Sequence, residues 1–205
     1  MPDDDTADPA DNDSTELELT DGDILDAMQH IPGYLDISTE DFRSIYHLAH
    51  RHALQRMFPG VTAGRLMRSP VPVLQPDATL DKAAATIAGS GYKGLPVVDA
   101  NGYVTGMLTE TDFLKCLDTG NFLELLLKLL DDSFEFTHRF HETTVSTAMT
   151  RPAVTIGPDA GFVEILEAFH SHGGRSMPVV GNGGRLLGLL LRKDFLAAYK
   201  LKESP

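Results

Sequence analysis

The stretch GYKGLPVVDANGYVTGMLTETD, residues 91–112, decides the fold because it recurs 82 positions later as GGRSMPVVGNGGRLLGLLLRKD, residues 173–194. Extended in both directions, residues 62–117 align with 144–199 without a gap, and 16 of the 56 positions are identical. The identities concentrate at proline, glycine and aspartate, the residue types that set turns and helix ends. The chain therefore contains two copies of one structural unit.

Each copy predicts the element order β-α-β-β-α, which belongs to the α+β fold class. A short β-prone run ends in a Pro-Asp turn, whose aspartates, Asp77 and Asp159, are placed to cap the helices that follow. A buried strand, a glycine-containing hairpin turn and a return strand come next, and a last helix begins near Asp112 and Asp194. One such unit is small for independent stability, so we expect the two copies to pack together.

The composition describes a chain that can bury a core but does not favour nucleic acid or membranes. Hydrophobic residues make up 42% of it, and its longest apolar-rich stretch is far shorter than the roughly 18–20 residues that span a bilayer. The net charge of −13 disfavours binding to a phosphate backbone or to an anionic membrane surface. The N-terminus carries no secretory signal and Cys116 is the lone cysteine, so we expect a cytoplasmic protein without an intramolecular disulfide.

The two repeats and the composition between them divide the chain into five predicted segments. These are a disordered acidic tail (1–21), a helical N-terminal extension (22–58), repeat one (61–118), a helical insertion (119–142) and repeat two (143–200). In the extension, a capping-box sequence from Ser38 to Asp41 precedes the longer helix. The insertion carries a leucine-rich helix at 122–130, which we predict covers an intersubunit or partner surface.

The element order, GYKGLPVVD at 91–99 and GMLTETD at 106–112 together resemble the CBS repeat, which normally occurs in tandem as a Bateman module. GMLTETD fits the family's nucleotide motif of glycine, any residue, a hydrophobic residue, Ser/Thr, any residue, Ser/Thr and aspartate. The resemblance covers more than half of the chain. It implies two repeats facing each other about a pseudo-twofold axis, with clefts between them, and pairing of two modules into a homodimer.

The resemblance also implies an adenine nucleotide as the ligand, in the form of AMP, ADP or ATP, alone or with Mg²⁺. Asp112 and Asp194 are then expected to accept hydrogen bonds from the ribose hydroxyls. Thr109 and Thr111 supply hydroxyl groups that can hold a phosphate. Taken alone, Asp112 also fits a plain helix cap.

Repeat two departs from the family pattern, because Leu191 and Lys193 stand where repeat one has its two threonines. The second phosphate contact then depends on the charges of Arg192 and Lys193. Lys93 and Arg175 occupy matched positions, and the resemblance places such residues near phosphate, although each alone fits a surface charge. The complete set of predicted ligand-binding residues is Asp112, Thr109, Thr111, Lys93, Asp194, Arg192, Lys193, Arg175, Thr150, Val71 and Ala153.

These features predict a stand-alone regulatory sensor, not an enzyme, that signals to a partner such as a transporter, channel or enzyme. No Ser-His-Asp, HExxH or P-loop motif is present. The histidines are not spaced with Cys or Glu as a metal site requires, but a phosphate contact from His170 or His172 stays open. Two other functions also stay open at this level: a ligand-free dimerisation scaffold and an S-adenosylmethionine-binding module.

Overall fold

The computed structural model describes residues 20–33, 36–116 and 141–203. The chain divides into two compact units between Ala53 and Leu54. Most of the predicted acidic tail and the predicted leucine-rich helix at 122–130 lie outside the described residues. Everything that bears on the predicted ligand site belongs to the second unit.

The first unit contains α1 (Asp21–His30) and all but the last turn of α2 (Thr39–Met57). The predicted capping box of α2 is confirmed: the Ser38 hydroxyl accepts the Asp41 N–H at 3.1 Å, and the Asp41 carboxylate accepts the Ser38 N–H at 3.3 Å. No side chain of α2 is buried, and Ile45 and Leu48 are more than half exposed.

The second unit contains two repeats with the same succession of elements. Repeat one consists of α3 (Ala63–Leu66), α4 (Leu80–Ser90), β1 (Gly94–Val98), β2 (Val104–Thr109) and α5 (Glu110–Cys116). Repeat two consists of α6 (Val145–Ala148), α7 (Phe162–His172), β3 (Ser176–Val180), β4 (Leu186–Leu191) and α8 (Arg192–Glu203). The predicted mixed fold of two α+β repeats is confirmed.

Each repeat has a two-stranded antiparallel sheet closed by the predicted glycine turn. β1 pairs with β2 and β3 with β4 in equivalent registers, so that Leu95 opposes Leu108 and Met177 opposes Leu190. Both sheets shift register at the same place, before the second valine of the Pro-Val-Val sequence. Gly102 in the first turn has a φ of 83°, a conformation that side chains with a Cβ rarely adopt.

Two local predictions need correction. The predicted first strand of each repeat is reduced to a single bridge residue, Leu74 or Ile156, that pairs in parallel with β1 or β3. The predicted caps Asp77 and Asp159 lie in the preceding turns, and the helices begin after Thr79 and Gly161. Each turn is closed by a backbone hydrogen bond across it, from Ala78 to Gln75 in repeat one, so helical geometry starts only after the turn.

The repeats are held together by exchange of their N-terminal segments. The N–H groups of Ala63 and Gly64 in repeat one donate to the carbonyls of Ala160 and Pro158 in repeat two, at 3.0 and 2.8 Å. The reciprocal bonds run from Val145 and Ser146 to Ala78 and Pro76, at 2.8 and 2.9 Å. Since the two sets of bonds are related by the 82-residue offset, the arrangement has a pseudo-twofold axis.

The hydrophobic cores follow the same exchange. Ala63 of repeat one is buried with the core of repeat two, beside Phe162 and Leu190. Val145 and Met149 of repeat two are buried with the core of repeat one. Each core is therefore completed by the other repeat, and one repeat alone would leave apolar side chains in water.

Candidate functional site

The site is a cleft of 550 Å³ to which both repeats contribute side chains. This volume lies within the range of about 300–1,000 Å³ that is usual for sites binding small molecules. The residues from repeat one are Lys93, Met107, Thr109, Glu110, Thr111, Asp112 and Lys115. The residues from repeat two are Thr150, Pro152, Ala153, Val154, His172, Gly173, Gly174, Arg175, Ser176 and Pro178.

Asp112 is the buried acidic group of this cleft, with 3% of its surface exposed. One carboxylate oxygen accepts the Thr109 N–H at 2.8 Å and the Thr109 hydroxyl at 2.7 Å. The other oxygen accepts the Thr150 hydroxyl at 2.8 Å, while Lys115 Nζ lies 3.8 Å away. A carboxylate oxygen accepts about two hydrogen bonds, so the second oxygen has capacity for one more.

The neighbouring hydroxyls extend the hydrogen-bonding capacity of Asp112. Thr109 and Thr150 each use their hydroxyl proton to bind Asp112, and each oxygen keeps lone pairs that can accept. This arrangement is an acceptor surface suited to a ligand with adjacent hydroxyl groups. It also caps α5, which begins at Glu110, immediately after Thr109.

Basic side chains contribute positive charge to the lining of the cleft. Lys93 Nζ lies 2.8 Å from Glu110 Oε1 in an exposed ion pair, and Arg175 contributes an exposed guanidinium. The matched backbones are held alike, because the carbonyls of Lys93 and Arg175 accept N–H groups from Glu110 and Arg192 at 3.1 and 2.9 Å. Cationic groups at these positions suit an anionic part of a ligand.

His172 is a further lining residue, whereas His170 is exposed and is not part of the lining. The Gly174 N–H donates to His172 Nδ1 at 2.7 Å. A nitrogen that accepts carries no proton, so the neutral ring has its proton on Nε2. Nε2 is buried and has no hydrogen-bond partner among the described residues.

Seven of the eleven predicted ligand-binding residues meet in this cleft: Asp112, Thr109, Thr111, Lys93, Arg175, Thr150 and Ala153. The other four predicted residues, Asp194, Arg192, Lys193 and Val71, do not line it. Arg192 donates to the Phe169 carbonyl and its guanidinium lies 5.5 Å from the Phe169 ring centre. Val71 packs against the small cluster of Met107, Leu189 and Leu191.

Asp194 is engaged by an arginine of repeat one. Arg68 Nε donates to one oxygen of Asp194 at 2.7 Å, and Arg68 Nη2 donates to the other oxygen at 2.9 Å. Hydrogen bonding by this guanidinium is the main cause that lowers the pKa of the Asp194 carboxyl. The pair is partly exposed, with 26% of the Asp194 side chain and 45% of the Arg68 side chain accessible.

Sequence reasoning missed Lys115 and the apolar lining residue Met107. Lys115 had a usable signal, because it follows Asp112 by three positions and so shares its side of α5. Met107 had no comparable signal, since buried strand positions look alike whether they face a core or a cleft.

Two negative findings concern the described residues alone. Across residues 20–33, 36–116 and 141–203, no three His, Cys, Asp or Glu side chains are grouped closely enough to hold a metal ion. Within the same ranges, no helix is both long enough and apolar enough to cross a bilayer.

Comparison with known proteins identifies the family. A family model described as CBS domain matches residues 63–119 and again residues 145–201. Because the two matches cover more than half of the chain, the protein belongs to the CBS domain family and carries a tandem pair of these domains. The resemblance predicted from the sequence is confirmed.

Individual relatives agree with this assignment. The inosine-5'-monophosphate dehydrogenase of Haemophilus influenzae is 31% identical over 137 residues, which make up 65% of this chain. The match spans 23% of that enzyme, so the chain corresponds to about a quarter of this curated relative.

Solved structures show the same architecture. The CBS domain of a membrane protein from Sphaerobacter thermophilus is 29% identical, with a TM-score of 0.57 over 75% of this chain and 97% of that chain. CBSX2 of Arabidopsis thaliana, solved in complex with AMP, is 24% identical, with a TM-score of 0.55 over 70% of this chain and 100% of that chain. The similarity to CBSX2 is evidence for a shared fold alone.

Proposed function

We propose that this protein is a regulatory sensor that binds an adenine nucleotide in the cleft beside Asp112 and signals to a partner protein. The observation that carries the proposal is the cluster of Asp112, Thr109 and Thr150 inside a cleft that also contains basic side chains. It combines acceptors for a ribose diol with cations for a phosphate. The AMP complex of CBSX2 supports the same ligand class.

In the proposed complex, the ribose hydroxyls donate to the free acceptor position of Asp112 and to the threonine hydroxyls. The phosphate lies near Lys93 and Arg175, and Thr111 provides a further hydroxyl. The adenine ring packs on the apolar side of the cleft, near Ala153. AMP, ADP and ATP, the latter two with or without Mg²⁺, share these groups.

In this proposal, signalling depends on the location of the cleft between the two repeats. A ligand that contacts both repeats stabilises the arrangement in which both sets of contacts are made. A partner that prefers this arrangement then binds with a different affinity when nucleotide is present. We place the molecule in the cytoplasm as a homodimer of tandem pairs, with a transporter, channel or enzyme as the regulated partner and no catalysis of its own.

The rival function is a dimerisation module without a ligand, which one observation favours. Asp112 already accepts three internal hydrogen bonds, as a side chain does that only caps a helix. The rival predicts no heat of binding and no rise in melting temperature with any adenosine compound.

Isothermal titration calorimetry of the whole chain with AMP, ADP, ATP and S-adenosylmethionine separates these functions. We expect at least one adenine nucleotide to bind, and we expect Asp112→Ala to weaken the tightest binding event more than Asp194→Ala does. Tight binding of S-adenosylmethionine alone would change the ligand class. Equal affinities in both variants and the wild type would contradict the placement of the site.

A further inference from the structure

The two clefts of a tandem pair need not be equivalent, and in this chain several matched side chains differ between them. Positions that line the first cleft have counterparts at the 82-residue offset around Asp194. Three of the small or hydroxyl-bearing residues that line the first cleft are Thr150, Gly174 and Thr109. Their counterparts at the 82-residue offset are Arg68 (which binds Asp194), Tyr92 and Leu191. Each counterpart is larger than the residue it matches, and Leu191 lacks the hydroxyl group that Thr109 has.

Arg68 occupies the same backbone position as Thr150. The Thr150 N–H and carbonyl pair with the Met107 carbonyl and N–H at 2.9 and 3.0 Å. The Arg68 N–H and carbonyl pair with those of Leu189, the counterpart of Met107, at 2.9 and 3.0 Å. Each residue therefore contacts the matched aspartate of the other repeat, and only the side chain differs.

Thr150 and Arg68 make different hydrogen bonds with their respective aspartates, Asp112 and Asp194. Thr150 makes one hydrogen bond to Asp112 and leaves acceptor capacity beside it. Arg68 donates to both oxygens of Asp194, at 2.7 and 2.9 Å, and neutralises its charge. The guanidinium lies along the edge of the Asp194 carboxylate that faces repeat one, so a ribose diol that approached both oxygens from that side would have to displace it.

Tyr92 adds bulk where the first cleft has none. Its counterpart Gly174 has no side chain and lines the first cleft. Tyr92 packs instead against the cluster that contains Leu189 and Leu191. Hydrogen bonding to Asp194 is the main cause that raises the pKa of the Arg68 guanidinium, and the interaction with Tyr92 adds a smaller contribution. The ring thus lies beside the ion pair and supports it.

We propose that Arg68 and Tyr92 close the second cleft from within, so that each chain binds a single nucleotide, in the cleft beside Asp112. Arg68 acts as a built-in occupant of the position that the sugar hydroxyls would take. The inference rests on the proposed nucleotide function, and it adds the number of sites and the residues that decide it.

Calorimetric stoichiometry with AMP and with ATP tests this directly on the whole chain. We expect one nucleotide per chain for the wild type. The triple variant Arg68→Thr, Tyr92→Gly, Leu191→Thr gives the second cleft the side chains of the first at these three positions, and we expect a second binding event. Arg185→Thr is the matched control, because it removes an exposed arginine outside the first cleft, and it should leave the stoichiometry at one.

The reverse substitution keeps the test decisive if the triple variant does not fold. Thr150→Arg places an arginine opposite Asp112, and we expect at least a tenfold loss of affinity with the melting temperature retained. Wild-type affinity in this variant would overturn the inference, because an arginine at this position would then not close a cleft.

The outcomes separate the inference from the proposed function. Two nucleotides per wild-type chain, or one nucleotide in both the wild type and the folded triple variant, would refute the closure and leave the sensor function standing. No binding to the wild type but one nucleotide in the triple variant would refute the sensor function and support the closure. No binding to either protein would refute both.

Discussion

Replacing Asp112 with asparagine separates ligand binding from helix capping. In the structure one carboxylate oxygen accepts both the N–H and the hydroxyl of Thr109, at 2.8 and 2.7 Å. The amide oxygen of asparagine can keep both bonds. The amide nitrogen then takes the other position, where the Thr150 hydroxyl can turn to accept from it. Asp112→Asn therefore preserves the cap and removes the charged acceptor that a ribose diol needs.

The expected magnitudes follow from those bonds. A hydrogen bond to a charged group contributes about 1.5–3 kcal/mol, and about 1.4 kcal/mol corresponds to a tenfold change in affinity. We therefore expect Asp112→Asn to weaken nucleotide binding about 10- to 100-fold. The free energy of unfolding should fall by less than about 1 kcal/mol, the size of the attraction between a carboxylate and a helix N-terminus. Asp112→Ala also removes the cap and should cost about 1–3 kcal/mol more.

Calorimetry measures the affinity, and urea denaturation measures the free energy of unfolding. Asp99→Asn is a matched control, because Asp99 accepts the backbone N–H groups of Asn101 and Tyr103 outside the cleft, both at 2.9 Å. It should leave affinity unchanged. The reasoning is refuted if Asp112→Asn destabilises the protein as much as Asp112→Ala while nucleotide affinity stays at the wild-type value, since Asp112 would then be a helix cap only.

Three further predictions concern stability and reactivity. A Cβ at Gly188 would lie 2.6 Å from the Arg68 carbonyl oxygen, so Gly188→Ala should cost about 1–3 kcal/mol, whereas Gly89→Ala, with nothing within 4 Å, should stabilise α4 by about 0.5–1 kcal/mol. Equal stabilities in urea denaturation would contradict this. Arg68 holds the pKa of Asp194 below 3.8, so the ion pair stabilises the fold above pH 3.8. The difference in stability between the wild type and Asp194→Asn should therefore shrink as the pH falls below 3.8. A difference that stays constant down to acid unfolding would contradict this prediction. Burial raises the pKa of Cys116, so iodoacetamide should modify it more slowly at pH 8 than it modifies glutathione, and an equal rate would be inconsistent with the packing.

Local patterns were predictable where a few neighbouring residues decide the geometry. The sequence correctly predicts the hairpin turns at Gly102 and Gly183 and the capping box between Ser38 and Asp41. Turns and caps depend on side chains within two to four positions of one another. The expected cap at Asp77 was wrong for the same kind of reason. A turn ends at Ala78, and the sequence does not show which residue of the turn takes the capping position.

Contacts between the two repeats at the site could not be predicted in this way. The alignment already paired Arg68 with Thr150, and the notable difference between these two side chains was visible in it. Which aspartate each side chain reaches was not visible, because the contact crosses from one repeat to the other over 126 positions for Arg68 and 38 for Thr150.

The amino-acid sequence by itself determined the duplicated α+β unit and its family, because glycine, proline and aspartate act on the backbone nearby and recur at one offset. Tertiary structure alone decided the exchange of N-terminal segments, and with it the opposite environments of Asp112 and Asp194. The physical reason is that a carboxylate's partners are set by whichever chain segment packs against it. The sequences of the two repeats predict the local structure of each repeat, but they do not predict which repeat supplies the residues that contact a given side chain.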